Sequence, residues 1–455
     1  MNNKVPNLTS GSLLKNIFFF SVPLMISNVL QVLFNMADIA VVGRFSGSTA
    51  LGSVGSTATL VSLFTGFLIG LGSGVSALVA RRYGAGDSRG VVRTVHSAAI
   101  VCFITGVVIF AFGEIFTDVF LSLLGTKPEL IDGATLYLRI YFLGMPAVAL
   151  YNFGSAVFSA VGQTKKPLYF LFIAGVTNVI LNFVFVLGCN LSVAGVAIAT
   201  IISQYLSCAL IIISLLRSKE IYALRTSSLK ADRMTTGEIL RLGIPSALQY
   251  ALFQVANLFI QAGVNTFDHV MVEGNSAAAN SDGLVFDIMA AFYTACTSFM
   301  AQNYGAGKRR RVIRSYLISL MYSAGVGVLM GAFVVLWGRG FLGLFTSDAA
   351  VVEAGLYRLR IMGCTYWISA FMDCTIAASR GLGKSVIPTC IVVMGSVVFR
   401  IIWIYTVFAH FKTIPSLYLL YLFSWSITAI AEIAYFAVIY KKQMAHISLT
   451  DTVKE

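Results

Sequence analysis

Twelve apolar blocks of about 20 residues follow one another along the chain, parted by short polar breaks. That succession leaves few folds open. In hydrocarbon every backbone N–H and C=O must be satisfied internally, so a spanning segment is a helix or a strand of a closed barrel. A barrel reads as shorter segments of alternating polarity, which this chain lacks. Only 11% of the residues are charged and 58% are hydrophobic, against about 25% charged in soluble domains. The first block, "NIFFFSVPLMISNVLQVLFNMAD", is too long for a signal-peptide core and has no small-residue cleavage site behind it, so it reads as the first span. The expectation is an all-α integral membrane protein.

The spans fall at 16–38, 52–77, 95–115, 134–159, 168–188, 195–216, 243–265, 277–300, 315–337, 357–379, 386–408 and 416–440. Lys and Arg collect on the cytoplasmic side of membrane proteins. With a cytoplasmic N-terminus, the segments 1–15, 78–94, 160–167, 217–242, 301–314, 380–385 and 441–455 carry 24 of the 32 basic residues. The outer segments and span ends carry seven, and Arg400 lies within a span. The net charge of +13 is therefore topology rather than a nucleic-acid surface. Both termini are expected in the cytoplasm and the chain in the inner (plasma) membrane.

"RRYGAGDSRGVVRTV" after the second span returns as "QNYGAGKRRRVIRSY" after the eighth. Tyr83, Gly84, Ala85, Gly86, Arg89, Val91 and Arg93 match Tyr304, Gly305, Ala306, Gly307, Arg310, Val312 and Arg314 at an offset of 221. The same offset takes Leu138, Arg139 and Ile140 to Leu359, Arg360 and Ile361, and Gly162 and Pro167 to Gly383 and Pro388. Pro23 maps to Pro245 at 222. Matches in order at a near-constant offset mean an internal duplication. With six spans per half, both halves enter from the same side and form parallel repeats about a pseudo-two-fold axis along the membrane normal. The expected domains are an N-lobe, 1–216, a cytoplasmic linker, 217–242, a C-lobe, 243–440, and a tail, 441–455. A phosphate cradle needs a preceding strand. Here an apolar helix precedes each Tyr-Gly-Ala-Gly, so its glycines read as a turn that stops a span. Without a soluble domain or a Walker A motif, the duplication points to a secondary transporter whose bundles rock about a central cavity.

Carboxylates inside hydrocarbon are costly and mark candidate sites. Asp38 ends the first span, with Asn35 one turn before it on the same face. Asn178 and Asn182 are four residues apart on one face of span five, and Thr200 adds a hydroxyl from span six. One carboxylate with neutral oxygens suits Na+, with Asp38, Asn178 and Asn182 as ligands, or a network around a titrating Asp. The same amides also serve as hydrogen-bonding glue between helices. In the second half Asp373 sits mid-span, while Gln254, Asn257 and Gln261 share span seven. Asp282 and Asp287 are about 140° apart around span eight, so they are not a paired site; each faces either the cavity or its outer mouth. Glu432 and Arg400 read as a structural charge pair. The seven cysteines, without CxxC or histidine-paired spacing, read as helix-packing residues. The histidines His96, His269, His410 and His446 are scattered.

Along residues 12 to 440 the chain resembles the multidrug and toxic compound extrusion (MATE) family. The resemblance rests on Pro23 with "MADIAVVGRFSG", on "QNYGAGK", "GQTKKP", "NVILNFVFVLG" with "GVAIATIISQ", and on "SRGLGK". It implies an antiporter, with no cofactor, that expels organic cations or amphipathic drugs against inward Na+ or H+. It implies an N-lobe site of Asp38 with Asn178, Asn182 and Thr200, where many members carry Asp in place of Asn182. It implies a C-lobe site in which Asp373 matches a span-ten Asp and Gln254 stands where a branch of the family has Glu. The expected partners are small organic cations or drugs and membrane lipids, with no nucleic acid, and the chain acts as a monomer. The nearest rival is a flippase for lipid-linked saccharides. It would want a strongly basic cavity, and Arg400 is the one buried arginine the sequence suggests. A membrane-embedded enzyme would need a catalytic cluster on a loop, and none is legible.

Overall fold

The computed structural model describes residues 8–445. Residues 1–7 and the last ten, 446–455 with His446 among them, lie outside that range. Thirteen helices account for the fold: α1 Leu13–Phe45, α2 Gly47–Gly84, α3 Ser88–Leu123, α4 Pro128–Phe142, α5 Met145–Ala160, α6 Lys165–Gly188, α7 Ser192–Leu216, α8 Arg233–Val264, α9 His269–Gly305, α10 Arg309–Leu342, α11 Ala349–Gly381, α12 Val386–Phe411 and α13 Ile414–Met444. Ten are long and apolar enough to cross a bilayer, and α4 with α5 forms one more span bent by 48°. The twelfth, α8, carries Gln249, Gln254, Asn257 and Gln261, which lower its apolarity. Most helices outrun the spans expected from hydropathy: α2 begins five residues before residue 52 and ends seven after residue 77. The backbone keeps its helical bonds into the headgroup region, where apolar side chains are no longer required.

The fourth span breaks at Leu143 and Gly144, just ahead of Pro146. Proline has no N–H to donate and opens a helix more readily than it continues one. A Cβ on Gly144 would meet the amide oxygen of the Gln204 side chain, which would have to swing away. Helix α6 ends in a π-helical turn, Val184–Gly188, two residues after Asn182, and α12 holds two such turns, Val393–Val398 and Ile404–Phe408. π turns recur where a helix places functional side chains.

The Tyr-Gly-Ala-Gly motifs stop helices by one device. Gly86 has φ +69°, its N–H donates to the Tyr83 carbonyl at 3.1 Å, and the Asp87 N–H reaches back to Arg82 at 3.0 Å. Gly307 repeats this with φ +75°, donating to Tyr304 at 3.1 Å while Lys308 reaches Asn303 at 2.9 Å. This is the Schellman arrangement, which needs a residue at ease in the left-handed region. Gly162 and Gly383, also related by 221, close α5 and α11 the same way.

The chain divides into two compact units, one spanning Ile26–Ala251, the other made of 8–25 with 252–445. Both divisions fall inside proline-containing helices, between residues 25 and 26 of α1, which holds Pro23, and between 251 and 252 of α8, which holds Pro245. In the first unit the start of α8 crosses α2 so closely that a Cβ on Gly70 would lie 2.6 Å from the Ala247 backbone, and one on Gly74 2.5 Å from Gly243. In the second, the start of α1 lies on α9, where Leu13, Ile17 and Phe20 bury with Phe292, Ala295 and Phe299. The polar stretch 217–242 belongs to the first unit. His96 of α3 accepts from the Arg225 N–H at 3.0 Å, Ser97 Oγ accepts from the Asp232 N–H at 2.9 Å, and Arg82 pairs with Glu238 at 2.9 Å. Asp232 caps α8; the Thr235 hydroxyl and then its backbone N–H hold the Asp232 carboxyl below the usual carboxylate range. In the second unit Lys308 donates to the Thr9 carbonyl at 2.9 Å and Arg311 to the Gly11 carbonyl at 2.9 Å. Each helix-stop motif thus lies beside residues that secure the lead into a proline helix.

Candidate functional site

In the first unit three helices bring one carboxylate and three neutral side chains together. Asp38 of α1 is 8% exposed and Asn182 of α6 is fully buried. Asn182 Nδ2 donates to Asp38 Oδ1 at 2.5 Å, and Thr200 Oγ1 of α7 to Asp38 Oδ2 at 3.3 Å. Asn178 Nδ2 reaches Thr200 Oγ1 at 3.4 Å, and its Oδ1 accepts from Asn182 at 3.4 Å. The α-helical rise puts Asn178 one turn from Asn182, and so both face α1 and α7. Tyr137 and Tyr141 of α4, stacked with centroids 5.9 Å apart, lie within electrostatic range of Asp38. Asn182 Oδ1 is buried with no hydrogen-bond partner, a spare acceptor beside the carboxylate. Asn35 does not join this cluster: it is exposed and makes no hydrogen bond to Asp38.

The second unit is arranged otherwise. Asp373 is not ringed by the amides of α8. Gln254 is half-buried, Asn257 is exposed, and neither hydrogen-bonds to Asp373. Arg380 and Arg400 lie within electrostatic range of Asp373, as do Glu432 and Tyr293. The notion of one buried arginine is also corrected, because Arg358, Arg380 and Arg400 are 6%, 7% and 2% exposed. Arg400 forms no ion pair with Glu432. Its Nε donates to Ser424 Oγ at 3.3 Å and its guanidinium lies 4.7 Å from the Tyr421 ring centroid and 5.6 Å from that of Phe253.

Asp282 of α9 is committed to other side chains. It is buried, ion-paired with Arg358, and accepts from the Tyr366 hydroxyl at 2.5 Å. Arg358 also donates to Asn275 Oδ1 at 2.7 Å, and Tyr418 donates to the same oxygen at 2.6 Å. Asn275 in turn reaches Gln261 Oε1 at 3.4 Å, and Gln261 reaches Asn265 at 2.8 Å. Asp287 is half-buried and outside this network. Arg358, Asn275, Tyr366 and Tyr418 escape a reading by sequence because Arg358 counts as a span-end charge. The available signal is that Asn275 and Asp282 are seven residues apart, two turns along one face of α9.

A duplicated bundle of twelve membrane-spanning helices in two lobes, with a buried carboxylate network in each unit, defines a polytopic membrane transporter. The MatE family profile matches residues 23–184 and again 245–406, the two copies 222 residues apart. The chain belongs to that family, the multidrug and toxic compound extrusion transporters. It is 30% identical over 374 residues to the Bacillus subtilis protein named "Probable multidrug resistance protein YpnP", covering 81% of each chain. It is 25% identical to the "FAD transporter" of Shewanella oneidensis, covering 82% of this chain and 84% of that one. Among solved structures, one described as an outward-facing multidrug resistance MATE family transporter superposes with TM-score 0.90 at 22% identity, covering 98% of this chain and 100% of that one. Another, from Pyrococcus furiosus and described as having a binding pocket of reversed polarity, gives 0.90 at 23% identity over 97% and 99%.

Proposed function

We propose that the protein is a secondary active efflux antiporter. It exports cationic or amphipathic compounds in exchange for Na+ or H+ by alternating access, as a monomer in the plasma membrane with both termini cytoplasmic. The observation that carries this reading is the Asp38 cluster, a carboxylate buried in a membrane helix and met by Asn182 and Thr200 from two others. A buried carboxylate held by neutral donors exchanges a small cation or a proton without exposing apolar surface. Asp38, the spare Asn182 oxygen and the Asn178 oxygen would take Na+; Asp38 alone would take a proton. Occupation from outside favours the state that releases drug outward, and loss of the ion inward resets the cycle. The names of the relatives support drug-like cargo. The flippase reading gains little from the buried arginines, since Asp282 and Asn275 engage Arg358 and aromatic rings cover Arg400.

The test uses purified protein in proteoliposomes, with ethidium transport driven by an imposed Na+ or pH gradient. The Asp38→Asn variant is expected to lower gradient-driven transport by about tenfold or more with an unchanged melting profile. Parental transport by that variant removes Asp38 from the coupling.

A further inference from the structure

We propose that Glu432 is a proton-binding site of the second unit, neutral in the conformation described and ionised in another state of the transport cycle. The proposal rests on the antiport reading above and extends it to a residue outside the Asp38 cluster.

Glu432 lies on α13 and is fully buried. Neither carboxyl oxygen has a hydrogen-bond partner, and among the described residues it makes no ion pair. It continues a polar row at one-turn spacing. Ser424 accepts from Arg400 at 3.3 Å, Thr428 donates to the Ser424 carbonyl at 2.6 Å and lies 3.1 Å from Ser396 Oγ, and Glu432 follows four residues on. The charged and titratable groups facing it are Asp373 and Arg380 from α11 and Tyr435 on its own helix. Arg400 of α12 is in range of Asp373.

An ionised carboxylate in such a place would lose its hydration and gain no donor, which strongly disfavours the charge. The same unit shows how a structural carboxylate is accommodated, for Asp282 has the Arg358 guanidinium and the Tyr366 hydroxyl. Glu432 has no counterpart to either. Neither packing nor a hydrogen bond accounts for an acid here rather than an apolar residue. A metal cation is disfavoured as the occupant, because Arg380 brings positive charge into range and no side-chain oxygen is bonded to Glu432. A proton fits: it forms an O–H bond on one carboxyl oxygen and neutralises the group. When rearrangement admits water, that bond breaks, the proton passes to water, and the carboxylate remains within range of Arg380.

Two measurements on the full-length protein decide it. Infrared spectra of the purified protein near neutral pH should show the carbonyl stretch of a buried neutral carboxylic acid, and the parent-minus-Glu432→Gln difference should contain it. Asp373→Asn serves as the control for the other carboxyl. A difference spectrum holding only carboxylate bands overturns the proposal without touching the antiport reading. In proteoliposomes, ethidium transport driven by a pH gradient should fall at least tenfold in Glu432→Gln, with a melting profile matching the parent. Parental transport by the variant overturns the proposal even where the neutral acid is present. A Glu432→Leu variant, apolar and close in volume, provides a second folded variant if the amide misfolds. Should the parent itself respond to neither a pH nor a Na+ gradient, the antiport reading fails, and with it the role of Glu432 in the cycle; the infrared result alone then separates a neutral acid from an ionised one.

Discussion

Asp38 and Asp282 are both buried carboxylates, and their surroundings set different tasks. Asp38 meets only neutral donors, which on the proposed antiport reading leaves its charge for a mobile ion. Asp282 is neutralised by Arg358 and held by Tyr366, so its charge is already spent in the fold. Breaking a buried pair leaves an uncompensated charge, whereas replacing both members by apolar residues is often tolerated. Arg358→Leu alone is therefore expected to destabilise the protein by about 3–5 kcal/mol. The double variant Arg358→Leu with Asp282→Leu should recover much of that loss. Thermal melting in detergent reads both, and additive losses would contradict the pairing. The Asn178–Asn182 face was legible in the sequence because it lies at i, i+4 on one helix, a local pattern; its meeting with Asp38, 144 residues away, was implied only by the family resemblance. The Arg358 network was not, because it joins residues 83 and 76 positions apart that only tertiary packing brings together. The same limit hid the surroundings of Asp373, where arginines stand in place of the expected amides.

At the scale of elements, the helix ends carry more information than the helix bodies. The spans could be placed from hydropathy, but their true length could not, because the backbone keeps helical bonds well beyond the apolar block. The break in the fourth span was also missed, since a 48° bend at Leu143 and Gly144 leaves the hydropathy profile continuous. The stops were readable, since glycine after a helix and before arginines has one economical conformation. Gly86 has open space around an added Cβ, so the cost of substitution is conformational alone. Gly86→Val should destabilise by about 1–2 kcal/mol, while Gly86→Asn should cost less, because Asn tolerates the left-handed region. Equal melting temperatures for the two variants would argue against a Schellman stop. The same order is expected at Gly307, its repeat partner.

At the scale of the whole molecule, the repeat and the charge distribution together predict sidedness. Cys189, Cys364 and Cys390 are the exposed native thiols among the described residues. In a variant lacking all seven cysteines, Ser218→Cys in the stretch before α8 should be labelled by an impermeant maleimide only from the cytoplasmic face. Thr346→Cys between α10 and α11 should be labelled only from outside. Labelling of both from one face would overturn the assigned topology.

Each proline helix begins in one unit and ends in the other, α1 passing from the second into the first at residue 26 and α8 from the first into the second at residue 252. Neither half of the chain therefore encodes a complete unit. A protein cut between 216 and 233 would yield two fragments, each lacking an arm that the other supplies. The pieces should assemble only when made together. A single-copy protein with the same exchange would have to complete each unit with an arm from a second copy.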